Sequence, residues 1–258
     1  MGKRIYTTLA LVLLALASLS AVSFAWFSIA DFTRVSSLNL TVTTGISMRF
    51  DLQAHDTFDE YVRTLGFDEI GAHIQEVFGY DPNSVPLEPV TTRDGAVYTL
   101  ENGTFVRNDE GKYLEFTLHF IATKDMVVHL TSSDAKQSEG GAAGTLFESD
   151  RPGTVEAMRI SFTADGMTYV YDPDFGNNSE INGKIKTFGL PSGENMVYNN
   201  HNAMFSLKQD TDKPVVVRIW LEGTDEKCVN SLKGSDFTIR LRFEGTDENN
   251  SLFSSRQK

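Results

Sequence analysis

The sequence predicts an all-β fold, an antiparallel two-sheet sandwich. It would be jelly-roll-like, with a short helical insertion near residues 56–79 and an N-terminal hydrophobic helix. Three observations predict it. Short segments that alternate apolar and polar residues recur from Leu38 to Phe243, about ten in all. Turn signals separate them. Helical periodicity is confined to one early block, so strands do not alternate with helices as parallel βαβ units require. Each such sheet has one apolar face to cover, and a second sheet covers it. An immunoglobulin-like sandwich is the other version of the same architecture.

Residues 1–25 read as an address. Lys3 and Arg4 open it, the stretch Leu9–Ala17 is strongly apolar, and Ser23 and Ala25 are small residues two apart. That is the pattern a signal peptidase accepts, with cleavage after Ala25 and a mature chain starting at Trp26. The rival reading is an uncleaved anchor. The run from Ile5 to Ala30 carries no charge and exceeds the roughly 20 residues that span a bilayer as a helix. The membrane is therefore reached only through this N-terminal segment, and the expected location is extracellular or at the cell surface. A lipoprotein would need Cys at the junction, and the single cysteine is Cys228.

The net charge of −12 disfavours nucleic acid and anionic headgroups as partners. A lone cysteine forms no intrachain disulfide, so the fold rests on its core. Cys228 reads either as a small buried residue or as a free thiol.

Trp26–Val35 is a short aromatic arm, with Trp26, Phe27, Ile29 and Phe32 as its apolar residues. It reads as a segment that pairs with another subunit, or as an edge strand or loose terminus. Residues 36–250 then form one β-sandwich domain, and 251–258 a polar tail. From Leu38 to Leu52 apolar residues alternate with polar ones, and Gly45 predicts a bend or bulge that splits the run into two strands. Over 56–79 the period changes: Phe58, Tyr61, Val62 and Leu65, then Ile70, Ile74, Val77 and Phe78, recur at three and four. Thr57 with Glu60 makes a capping box, Gly66 divides the block into two helices, and Gly79 stops it.

Beyond the prolines at 82, 86 and 89, strands dominate. Asn102-Gly103 and Asp165-Gly166 are hairpin turns, since both positions accept positive φ. Inward rows include Leu114–Phe120, Met126–Leu130, Met158–Phe162, Met167–Tyr171, Val215–Leu221 and Phe237–Phe243. Segments 132–144 and 172–192 read as loops.

A search for chemistry finds no catalytic set. The histidines at 55, 73, 119, 129 and 201 lack the H-E-x-x-H spacing of a zinc protease. His119 and His129 could meet on adjacent strands as a surface pair. Cys228 lacks the preceding Thr of a sortase, and Asp225 and Glu226 would raise its pKa. No G-x-S-x-G, P-loop or dinucleotide fingerprint occurs, so no cofactor is implied. Asp172, Asp174, Asn177, Asn178 and Glu180 could offer oxygen ligands to calcium, without the spacing of an EF-hand. Trp220 lies on the polar side of its strand, where it could stack on a sugar ring or pack under a loop.

The junction Ala25-Trp26-Phe27-Ser28, with Asp31 shortly after, resembles secreted proteins of the TasA/camelysin group. Their precursors carry a hydrophobic run and a small-residue site followed by an aromatic motif, cut by a SipW-type signal peptidase. Val215–Asp225 also resembles a tail found in secreted proteins of Gram-positive bacteria. The resemblance implies a jelly-roll subunit of biofilm-matrix fibres, in which an N-terminal strand freed by cleavage completes the sheet of the next subunit. That strand maps onto Trp26–Val35. Camelysin has been classed as a metalloprotease, and the zinc motif such an activity needs is missing here.

The expectation is therefore a secreted, non-enzymatic structural subunit of the cell surface or matrix that associates with itself. The alternative is a membrane-anchored surface module that binds carbohydrate or a protein partner, with Trp220 as the candidate contact. A matrix protein or polysaccharide is the expected neighbour in either case.

Overall fold

The computed structural model describes residues 33–42, 48–131, 144–150, 155–191, 196–228 and 234–253. The expected cleavage residues Ser23, Ala25 and Trp26, the arm residues Trp26, Phe27, Ile29 and Phe32, and the N-terminal hydrophobic helix lie outside them. Among the described residues no helix is long and apolar enough to cross a membrane.

Strand is the dominant secondary structure, at 48%, and is arranged in two sheets. The first holds β1 (Arg34–Val42), β3 (Thr64–Leu65), β8 (Met126–Leu130), β9 (Leu146–Ser149), β14 (Ala203–Leu207) and β16 (Asp236–Thr246). Their order is β14-β8-β16-β1-β3, with β9 beside the first half of β16. The second holds β2 (Met48–Asp51), β7 (Leu114–Ala122), β10 (Met158–Ala164), β11 (Met167–Tyr171), β12 (Ser179–Asn182), β13 (Ile185–Phe188) and β15 (Lys213–Glu222). Here β15 is central, flanked by β10 and β7, and β2 lies beyond β7. A three-stranded meander, β4 (Pro89–Thr92), β5 (Tyr98–Thr99) and β6 (Phe105–Val106), joins at the end of β15.

Period-two patterning sets the inward faces. Leu114, Phe116, Leu118 and Phe120 of β7 are buried against the core, as are Phe237, Ile239, Leu241 and Phe243 of β16. Rings from both sheets meet at Phe243, whose centroid lies 5.2 Å from Phe120, 5.7 Å from Phe162 and 5.9 Å from Phe50, all edge-on. The predicted break in Leu38–Leu52 is present: β1 lies in one sheet and β2 in the other, so the chain crosses the sandwich between them.

Three expectations need correction. The sheets are mixed rather than antiparallel. β1 runs parallel to β16 from Arg34 opposite Asp236 to Val42 opposite Phe243, and β13 runs parallel to β11. Alternation fixes which face a residue takes and carries nothing about the direction of the neighbouring strand. The helical block is also half the expected size. Thr57 and Glu60 do make their capping box, but it holds only a 3₁₀ turn at Phe58–Glu60. Arg49 takes the carbonyls of Phe58 and Tyr61, and Val62 pairs with Phe50, so that stretch joins the sheet edge. One helix follows, α1 (Phe67–Phe78), which starts after Gly66 and stops at Gly79 with φ +81°. Its buried face, Phe67, Ile70 and Ile74, packs over β7 and β1. The 172–192 segment, read as loop, contains the hairpin β12–β13. β12 is polar and lies at the sheet edge, so it shows no alternation.

The boundary of the arm also moves. Thr33 and Val35 are buried and already paired, Thr33 with Leu87 and Val35 with Phe237. Residues 33–35 therefore belong to the sandwich.

His129 of β8 is fully buried, with Nδ1 2.9 Å from Asn202 Oδ1 and Nε2 3.0 Å from Thr246 Oγ1. Burial holds its pKa down at about 4. The native imidazole refuses a proton that the unfolded chain accepts below about pH 6.5. Stability is thus complete above that value and is lost as pH falls toward 4, by about 3 kcal/mol. Urea midpoints at pH 7 and pH 4.5 should show this slope, and His129→Gln should flatten it.

Candidate functional site

The outer face of the second sheet carries most of the polar architecture. The meander folds back over it. Tyr98 stacks on Tyr113 at 4.3 Å and meets Trp220 edge-on at 5.3 Å, and Val90, Val106 and Val170 complete this second small core. The loop between β4 and β5 crosses the face: Arg218 Nη1 donates to the Gly95 carbonyl at 3.0 Å. Gly95 sits at φ +70° with Thr168 so close that a Cβ would fall 2.6 Å from its methyl.

This cover corrects the reading of Trp220 as a sugar platform. Its side chain is only 2% exposed, and Nε1 donates to Glu222 at 3.0 Å. A ring covered on its strand by Tyr98 has no face left to stack on a ligand. Beside it lies a polar cleft of about 560 Å³, with Arg93, Glu180, Asn182 and Thr187 at its walls.

A larger groove, about 810 Å³, lies on the opposite, solvent side of the meander. Thr91, Thr99 and Phe105 face each other across the three strands and so share one side of it. Val90, Val97 and Leu100 also line it, and Arg93 and Glu101 sit at its rim. Phe105 is 73% exposed and Val97 47%.

Two carboxylates of the acidic segment read as a calcium loop, Asp172 and Asp174, are paired with cations of this chain. Arg159 on β10 is buried and pairs with Asp172 at 3.1 Å and Asp225 at 2.6 Å. Burial raises the Asp172 pKa despite the guanidinium. Asp174 pairs with Lys227, and Asn178 Oδ1 accepts from the Ser179 backbone. Cys228, at the end of this turn, is buried against Ala157. Burial, then Asp225 and Glu222, push its thiol up to about 12. Cys228 should therefore resist a thiol reagent at pH 8 in the native state and react once urea unfolds the chain.

His119 and His129 do not meet, because β7 and β8 belong to different sheets. His119 Nδ1 lies 2.8 Å from Asp212, which also accepts from the Tyr61 hydroxyl at 2.8 Å. Tyr61 in turn accepts from the His55 backbone, and His55 pairs with Asp51 at 3.2 Å. The set ties the 52–62 segment to the start of β15. Among the described residues no three His, Cys, Asp or Glu side chains have a geometry that could hold a metal.

No family model, curated protein or solved structure matches this chain.

Sequence reasoning reached Trp220, Cys228, His119 and the acidic run, and the fold separates them into a covered ring, a buried thiol and two ion-pair sets. It missed the groove. The Asn102-Gly103 hairpin was legible, and Gly103 has φ +80°. Nothing local marked Phe105 as the residue left exposed, because that follows from the meander turning its other face to Trp220.

Proposed function

We propose that this chain is a secreted, non-enzymatic structural subunit of the cell surface or matrix. In this reading it is a jelly-roll-like member of the TasA/camelysin type that assembles by donating its N-terminal strand. The observation that carries the reading is the way the chain enters the sandwich. The described chain is already hydrogen-bonded at Thr33 and runs as a strand through Val42. The aromatic residues Trp26–Phe32 immediately precede it. A segment continuous with a sheet strand is suited to extend into a second copy, where its backbone groups would pair along an exposed edge. The junction Ala25-Trp26-Phe27-Ser28 supplies the means to free it. Burial of Trp220 removes the aromatic platform on which a carbohydrate-binding module was based.

Export from a Gram-positive host carrying the matching peptidase tests the reading. Mass spectrometry of the extracellular product should give Trp26 as its first residue. A product held in the membrane fraction with residues 1–25 intact would favour the anchored surface module instead.

A further inference from the structure

We infer that the polar cleft on the outer face of the second sheet binds one neutral, linear oligosaccharide chain. The inference is independent of strand donation, since the cleft lies wholly on described elements of one copy. Its shape is the first observation. The strands lie in the order β12-β13-β11-β10-β15-β4, and each contributes to the lining. Glu180 stands opposite Thr187, Thr187 beside Val170, and Arg159 opposite Trp220, so the row runs across the strands. Thr92, which ends β4, and Arg93 close the far end. Five strand spacings span about 24 Å. A volume of about 560 Å³ over that length leaves a cross-section of about 23 Å². That is a trench suited to a single extended chain rather than to a compact ligand.

The second observation is chemistry. The charges on the trench floor are already matched within the protein. Arg159 pairs with Asp172 at 3.1 Å, and Glu222 accepts from Trp220 at 3.0 Å and from the Thr224 hydroxyl at 2.7 Å. Four lining side chains have no hydrogen-bond or ion-pair partner among the described residues: Arg93, Glu180, Asn182 and Thr187. One is a cation, one an anion and two are neutral, so the free groups sum to zero charge. A hydroxylated chain without charge can donate to Glu180 and accept from Arg93, and the amide and hydroxyl serve either role. A polyanion would meet Glu180, Glu222 and a protein of net charge −12. An extended peptide is served less well, because strand addition uses a free sheet edge and this trench offers side chains. Trp220 presents no ring face, so recognition rests on hydrogen bonds over the apolar Val170 and Ile185.

Isothermal titration of the chain from Trp26 onward tests this. The probes are cellopentaose, maltopentaose and penta-N-acetylchitopentaose, with pentagalacturonate beside them. At least one neutral pentasaccharide should bind saturably, about tenfold or more tighter than its own disaccharide, as a trench several sugar units long requires. Glu180→Ala with Asn182→Ala at one end, and Arg93→Ala at the other, should each weaken that binding about fivefold or more. All three positions are exposed, so circular dichroism should show both variants folded. No saturable binding of any neutral pentasaccharide would overturn the inference. Binding unchanged in both variants would put the sugar elsewhere on the protein and overturn it equally. Tighter binding of pentagalacturonate than of every neutral chain would overturn the charge argument and assign the trench to an acidic polymer.

Discussion

Phe243→Ala is expected to cost about 3–5 kcal/mol of folding stability. The ring is fully buried, and three aromatic side chains of the opposite sheet converge on it: Phe50, Phe120 and Phe162 approach it from the second sheet. Its removal leaves a cavity bounded by rings on two stiff sheets, which cannot close around it. Phe243→Leu keeps most of the volume and should lose less than half as much. Urea unfolding followed by tryptophan fluorescence and circular dichroism measures both. A cost below 1 kcal/mol for the alanine variant would mean that the sheets are not held together at this point.

Arg159→Met should be comparably severe, about 3–5 kcal/mol, for an electrostatic reason. The guanidinium is the shared counter-ion of Asp172 and Asp225, and it also donates to the carbonyls of Glu156 and Met158. Methionine fills the space and leaves the two carboxylates under the surface without a cation. Lysine does not rescue, since a single ammonium cannot serve that many acceptors in a fixed fork. The pH dependence separates this from simple loss of packing. Asp172 already has its pKa raised by burial, and without Arg159 it rises further. The native variant then binds a proton more readily than the unfolded chain, so its deficit should shrink as pH falls from 7 toward 5. A deficit independent of pH would assign the loss to packing.

Local chemistry was legible wherever local rules decide. The inward rows of β7, β15 and β16, the Asp165-Gly166 turn and the Gly66 and Gly79 limits of α1 follow from alternation, positive φ and capping. What eluded the sequence is non-local. The parallel pairing of β1 with β16 joins the two ends of the domain, and neither strand's pattern encodes its partner's direction. The Phe58–Leu65 stretch keeps helical spacing, yet Arg49 claims its carbonyls from a neighbouring strand. Trp220 read as a polar-side residue, correctly, but the polar side of β15 is roofed by a meander starting well over a hundred residues earlier in the chain. The acidic run looked like a ligand set because its cations, Arg159 and Lys227, sit on other elements. The groove combines both difficulties, since it exists only once β4, β5 and β6 have turned their aromatic face inward.

Electron microscopy of two chains tests strand donation most directly, one starting at Trp26 and one at Thr33. The shorter chain keeps Thr33, Arg34 and Val35, which pair with Leu87, Asp236 and Phe237, so it should remain folded, as circular dichroism can verify. Filaments that lengthen with concentration from the Trp26 chain, and monodisperse particles from the Thr33 chain, are the expected result. Filaments from both chains would place the assembly contact outside residues 26–32, and particles from both would remove the structural-subunit reading altogether.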